Sequence, residues 1–422
     1  MLCNSSCKRN AETWKDCDEV LSTDVIPLKI DKAYYVDKYS NLFSEVHYVP
    51  LEETRNSIVG EVSQLEITKD GDYVVFDSNS GAIFRFASDG RFLNNIGFRG
   101  AGENEYILPV DMAYDPYYDK VLVWDNGKSA ILTFGMDGKM ESKIQLPWII
   151  ARFGVIDKDY LICFMNNGEN VREKERATNY KVIKRDGTIV KEFGEYGADK
   201  AGFCPAPGFT FSYQQGRCLC LPPLSSTLYC VEDNQLNTIV TFDLLDKAIP
   251  QEWMTGPVRE FRETMKSYPH LIEIFSVFET QQYYFVGLVR DRQLIQCQIQ
   301  KDTEKVKSVS VAIMNDLFGI AGGTNVIYAD NNHLYYSVDP ASFRSTNDWV
   351  QSIPEDVNLK EAYLMRADVM SSLLSRAYGK ASASLYIDSL KSTNFEWHSG
   401  EREFIGEMAK RSNPIIQICT LK

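Results

Sequence analysis

The chain has 422 residues, with 45 Lys plus Arg against 58 Asp plus Glu, a formal net charge of −13. An acidic surface repels phosphate backbones and anionic headgroups, and no basic patch offsets it, so nucleic-acid binding and charge-driven membrane binding are excluded. Hydrophobic residues make up 44% of the chain, enough for a large core, and no run of eighteen apolar residues is present to span a membrane.

In chain order, residues 1–24 read as a flexible tail. "NSSCK" around Cys7 looks like the end of a lipoprotein signal, so Cys7 is a candidate lipid anchor; an ordinary frayed tail fits as well. "FSEVHYVPLE" (43–52) is a strand with no local partner. A repeat then begins. "VVFDSNSGAIFRFASDGRF" starts at Val74 and "VLVWDNGKSAILTFGMDGKM" at Val121; Asp77 aligns with Asp125, Phe86 with Phe134 and Asp89-Gly90 with Asp137-Gly138, each offset by 48. Asp186-Gly187 follows 49 later and Asp233-Asn234 another 47. Each unit reads as strands joined by tight turns, with Asp-Gly or Asp-Asn supplying the positive φ of a hairpin.

Between the first two units lies "NNIGFRGAGENEY" (94–106). Its glycines suggest a phosphate loop, but position 105 is Glu, two acids stand where phosphate would lie, and a strand rather than a helix follows. It reads as a crossover between units, with Tyr106 beginning the next inner strand. Residues 257–278 show apolar positions at helical spacing after Pro257, an inserted helix that accounts for the longer spacing before the fifth unit. The sixth unit is "TNVIYADNNHLYYSVD", followed by a predicted helix at 359–378 and a final strand at 413–421.

Four-stranded units of 40–50 residues in tandem point to an all-β fold: a six-bladed β-propeller of four-stranded antiparallel blades over 25–422, with helical insertions near 257–278 and 359–378. A ring must close, so strands 43–52 and 413–421 are expected to share the last blade. Inner strands are expected to begin near Gln64, Asp111, Arg152, Phe211 and Thr324.

Little in the sequence carries chemistry. There is no G-x-S-x-G, and the four histidines (His47, His270, His333, His398) are scattered. Cys218 and Cys220 fall on one strand face and read as buried small hydrophobes; a disulfide of Cys230 is left open, and no metal ligand set is visible. Asp77 and Asp125 read as turn caps, with calcium binding as the rarer use. The default ligand site of a propeller is its axial channel and the loops around a mouth. Position selects Gln64, Arg99, Glu105, Asp111, Arg152 and Tyr213 as candidate ligand-binding residues. Trp148 could also grip a sugar, though a core role suits it better. Catalytic residues are not assignable.

"FSEVHYVPLE", "FLNNIGFRGAGENEY", "PPLSSTLYCVEDNQL" and "NPIIQICTLK" together resemble the NHL-like six-bladed propeller proteins of Bacteroidetes, from about residue 25 to 422. Glu103 and Asn104 depart from the commoner Pro and Gly of that loop. The resemblance implies an exported protein, often a lipoprotein, in the periplasm or at the outer membrane, and many relatives are encoded among nutrient-uptake genes. Two readings follow. One is a non-enzymatic propeller binding a small glycan, a peptide or an envelope protein, with no cofactor. The other is a metal-dependent hydrolase or lyase with its site on the axis; few histidines disfavour the lyase type and leave an axial calcium open.

Overall fold

The computed structural model describes residues 24–28, 36–168, 177–206, 208, 210–214, 216–232, 235–290, 293–310, 312–317, 325–354, 356–365, 375, 380–393 and 400–422. Three N-terminal strands come first: β1 (Asp24–Pro27), β2 (Val36–Lys38) and, after the short helix α1 (Tyr39–Leu42), β3 (Phe43–Pro50). Blade one is β4 (Gln64–Ile67), β5 (Tyr73–Asp77), β6 (Ala82–Phe86) and β7 (Phe92–Asn95). Blade two is β8 (Pro109–Asp115), β9 (Lys120–Asp125), β10 (Ala130–Gly135) and β11 (Met140–Gln145). Blade three is β12 (Arg152–Val155), β13 (Tyr160–Phe164), β14 (Thr178–Lys184) and β15 (Ile189–Glu195). Blade four is β16 (Phe211–Gln214), β17 (Arg217–Cys220), β18 (Thr227–Glu232) and β19 (Gln235–Asp243), with β1 added in parallel outside β19. Helix α2 (Val258–Lys266) precedes blade five, which is β20 (Ile272–Glu279), β21 (Tyr283–Arg290), β22 (Gln293–Gln300) and β23 (Lys305–Ser310). The short β24 (Ala312–Met314) pairs with β2. Blade six contains β25 (Val326–Ala329) and β26 (His333–Val338). Helices α3 (Pro340–Gln351), α4 (Leu359–Met365), α5 (Lys380–Ser392) and α6 (Glu401–Ala409) intervene before β27 (Ile415–Leu421). β3 is the outer strand of this blade, paired antiparallel with β27 from Ile415↔Pro50 to Leu421↔Phe43. The two ends of the propeller chain therefore meet in one sheet.

The molecule is an all-β six-bladed propeller of four-stranded antiparallel sheets. Its core is divided into wedges between neighbouring blades. Val74, Phe76 and Ile83 of blade one pack on Val121, Val123 and Phe134 of blade two. Val75 and Phe84, on the opposite face of blade one, pack on Ile327, Tyr335 and Ile416 of blade six. Strands buried on both faces read as unbroken apolar runs, which explains "YVVF", "VLVW" and "YLICF". Cys218 and Cys220 face blade three, while Leu219 and Cys230 face blade five. No disulfide links them: the seven described cysteines are free. Burial pushes the Cys230 thiol up to about 12.

Three of the expected elements need correction, and a fourth falls mostly outside the described residues. Residues 257–278 are not one helix: α2 ends at Lys266, and Ile272–Glu279 is the inner strand of blade five, absent from the expected set. The helix expected at 359–378 is described only over Leu359–Met365; most of the rest lies outside the described residues, as does Thr324, and α3, α5 and α6 were not anticipated. Asp24 begins a strand instead of ending a tail; residues 1–23, Cys7 included, lie outside the described residues. Tyr106 does not begin an inner strand: it bridges to Arg99, and β8 starts at Pro109.

The topology sorts the loops. In every blade the first and second strands meet in a short turn at one mouth of the channel. Inter-blade crossovers and the loops between second and third strands gather at the opposite mouth, and so does the helical insertion of blade six. This second surface is the crossover face.

Candidate functional site

The six inner strands surround an axial channel lined by Gln64, Glu66, Asp111, Arg152, Tyr213, Phe278 and Tyr328, among others. It offers about 50 Å³ for water centres, room for roughly three to five waters at ~10–15 Å³ each. That is too little for a sugar ring or a peptide backbone.

Its polar residues bridge blades. Gln64 Oε1 accepts from Met112 N at 3.1 Å, and Gln64 Nε2 donates to Asp111 Oδ1 at 2.8 Å. Asp111 Oδ2 accepts from Phe153 N at 2.8 Å, and Gln214 Oε1 from Glu279 N at 2.8 Å. Each interaction joins an inner strand of one blade to the next, where no sheet ladder exists to satisfy the inner-edge N–H groups. Arg152 Nε stands 3.7 Å from Asp111 Oδ1, and its Nη1 donates to Val110 O at 3.2 Å. Burial raises Asp111, while Arg152, the Phe153 N–H and Gln64 hold it down. Glu66 is raised to about 8 by burial and by the charge of Asp111.

Four expected residues, Gln64, Asp111, Arg152 and Tyr213, are thus brought together in the channel. Tyr213 donates to the hydroxyl of Tyr117, 2.9 Å away in the first turn of blade two. Arg99 and Glu105 are not with them. Both belong to the crossover from blade one to blade two: Arg99 Nη1 donates to Ser80 O at 3.3 Å, and Glu105 Oε2 accepts from Gly102 N at 2.8 Å. A Cβ at Gly100 would lie 2.0 Å from Glu105 Oε2, so that glycine makes room for an acid folded back onto its own loop. Trp148 is buried, with the Lys181 ammonium 5.2 Å from its ring centroid. Asp77 and Asp125 cap turns: Asp77 accepts from Gly60 N and Asn79 N, and Asp125 from Ile107 N, Leu108 N and Gly127 N. Among the described residues no group of three or more His, Cys, Asp or Glu could hold a metal.

A larger hollow lies on the crossover face where blades three, four and five meet. It offers about 440 Å³ for water centres and is lined by Asn166, Asn167, Asn179, Tyr180, Tyr196, Lys200, Tyr229 and Gln251, with Pro222, Leu224 and Met254. Its amides are partly tied: Asn167 Nδ2 donates to Phe203 O at 2.9 Å, Asn179 Nδ2 to Asn167 Oδ1 at 2.6 Å, and Asn166 Nδ2 to Pro205 O at 2.8 Å. Asn166 and Asn167 both hold φ of 53°, the left-handed conformation that Asn tolerates better than most residues. The run "MNNG" immediately after β13 was the signal for this groove; in a strand–turn–strand pattern it reads as an ordinary turn. Glu66 was also missed, because an acid in a short strand looks solvent-facing.

No curated protein matches the chain. Among solved structures, a Bacteroides fragilis protein inferred to be exported superposes with a TM-score of 0.67 at 13% identity, covering 95% of this chain and 100% of that one. A member of the DUF4221 family from Bacteroides vulgatus gives 0.48 at 11% identity, over 70% and 92%. The virginiamycin B lyase of Staphylococcus aureus gives 0.34 at 9%, over 63% and 73%. At such identities the first of these bears on the fold alone, and the other two carry no argument. Residues 23–364 match the domain of unknown function DUF4934, and the chain belongs to that family.

Proposed function

We propose that this chain is a non-enzymatic binding propeller of the bacterial cell envelope, holding a glycan fragment or a peptide in the crossover-face groove. One observation carries the reading: the groove offers about 440 Å³ and the axial channel about 50 Å³. The lining suits either ligand. Amide and hydroxyl groups can exchange hydrogen bonds with sugar hydroxyls or peptide groups, and tyrosine rings offer flat apolar faces. Envelope placement is supported by the B. fragilis protein of the same fold, inferred to be exported.

The test is a screen of glycan and peptide libraries against the purified chain, followed by calorimetry on any hit. A Lys200→Ala/Gln251→Ala double variant is expected to bind a groove ligand at least tenfold more weakly with its melting temperature unchanged. Undiminished affinity in that variant moves the ligand elsewhere. Conversion of a hit to product, followed by mass spectrometry, overturns the non-enzymatic reading.

A further inference from the structure

The channel contains a carboxyl to which no described residue is bonded. Asp111 spends both oxygens on Gln64 and Phe153 N and has Arg152 beside it. Among the described lining residues Arg152 is the one cation, and it is committed to Asp111 and to the Val110 and Ala151 carbonyls. Glu66, two residues beyond Gln64, makes no hydrogen bond or ion pair with any described residue, yet it borders the same cavity. A carboxyl placed inside a protein without a partner is costly, so it either keeps its proton or finds a cation. The walls around it are aromatic: Tyr114, Phe211, Tyr213, Phe278 and Tyr328 all line the cavity. Ring faces attract an organic cation and also shelter its alkyl stem.

We propose that the axial channel takes an alkylammonium head group, with Glu66 as counter-ion and the rings of Tyr114, Tyr213 and Tyr328 around it. Space for a few waters suits an ammonium and its first carbons but not a larger body. The same chemistry is offered by a free small amine and by a lysine side chain of another protein. The site is separate from the groove, so groove variants leave it untouched.

Its pH dependence follows from the groups facing the cavity. Blade two contributes Asp111 and Tyr114, blade three Arg152, blade four Tyr213 and Cys218, and blade six Tyr328; blade five contributes Phe278, which does not titrate. Burial pushes all three tyrosines up, Tyr114 to about 12, so they stay neutral across the working range. Glu66, raised to about 8, gains its charge between pH 6 and 9, while an alkylamine with a pKa near that of lysine, about 10.4, stays protonated. Affinity is expected to rise about tenfold per pH unit below 8 and then level off.

The experiment is calorimetry of the full chain with n-butylammonium chloride at pH 6 and pH 9. The matched controls are n-butanol, sodium chloride and calcium chloride. At least tenfold tighter binding of butylammonium at pH 9 is expected, with the gain lost in Glu66→Gln and binding weakened severalfold in Tyr213→Leu. The Tyr213 variant reads the site independently should the first fold poorly. Equal binding of butanol, equal binding of calcium, or unchanged affinity in Glu66→Gln overturns the proposal. A lysine peptide acetylated only at its N-terminus, with the side-chain amine free, run beside butylammonium separates the sources: tighter binding of the peptide assigns a protein lysine, and binding of butylammonium alone assigns a free amine.

Discussion

Adjacent inner strands belong to different sheets, and side chains bridge them: Gln64 to Met112, Asp111 to Phe153, Gln214 to Glu279. Polar residues at such positions look like ligand contacts in a sequence, because nothing local shows that a backbone N–H from the next blade will claim them. Glu279 goes further: its side chain is fully buried and is held by Arg217 Nη2 at 2.8 Å and by Lys301. Glu66 has no such claimant among the described residues, and its titration therefore bears on stability. Its ordinary value of 4.5 is raised to about 8 in the fold. Between those values the folded chain holds a proton that the unfolded chain has released, so stability falls as pH rises from 4.5 to about 8 and levels off above. Glu66→Gln is expected to flatten that decline in urea unfolding at pH 5, 6, 7 and 8. Parallel profiles for the two proteins would show that Glu66 titrates normally.

At the scale of elements, the Asp-Gly turns do more than reverse the chain. Gly138 holds φ of 81°, and a Cβ there would lie 2.0 Å from Asn95 O of blade one. Gly90 stands in the same relation to Pro50 O of blade six, at 2.2 Å. Sheet twist swings these two outer turns against the last strand of the preceding blade, so the glycine is required twice in each, for its backbone and for close approach. Gly138→Ala is expected to cost at least ~2 kcal/mol, from left-handed strain plus displacement of a neighbouring backbone, read as a lowered urea midpoint; a loss under ~0.5 kcal/mol would mean the turn relaxes freely. The repeat pattern made these turns visible, since each hairpin is local. The segment 257–278 shows where pattern fails. Val258, Phe261 and Met265 form a genuine helical stripe, but "LIEIFSVF" is a strand buried on both faces, and a short apolar run has no period that separates it from a buried helix.

For the whole molecule, the feature that matters most is closure. β3 completes blade six by pairing with β27, more than 360 residues away. Deleting residues 43–50 leaves β27 as an open, apolar edge, a template for pairing with other chains. The shortened chain is expected to run as soluble aggregate in size-exclusion chromatography; a monodisperse monomer with native melting would show that the ring does not depend on this strand. Blade six also explains why its unit looked irregular: the insertion from 339 to 414 separates its second and third strands. The strands pair normally once folded, but their spacing no longer follows the 48-residue period.

The sequence by itself determined the kind of blade and the order of the first four, because apolar runs and Asp-Gly turns are local signals repeated at a fixed spacing. It also pointed to the partnership of the two end strands, since each lacked a local mate. Only the tertiary structure decided which polar residues are spare. Gln64 and Asp111 are bound by residues of the next blade, Arg99 by a loop of blade one, Glu105 by its own crossover, and Glu66 by no described residue. The groove was equally hidden, for its walls come from segments between Phe164 and Ile274 that only packing of blades three, four and five brings together.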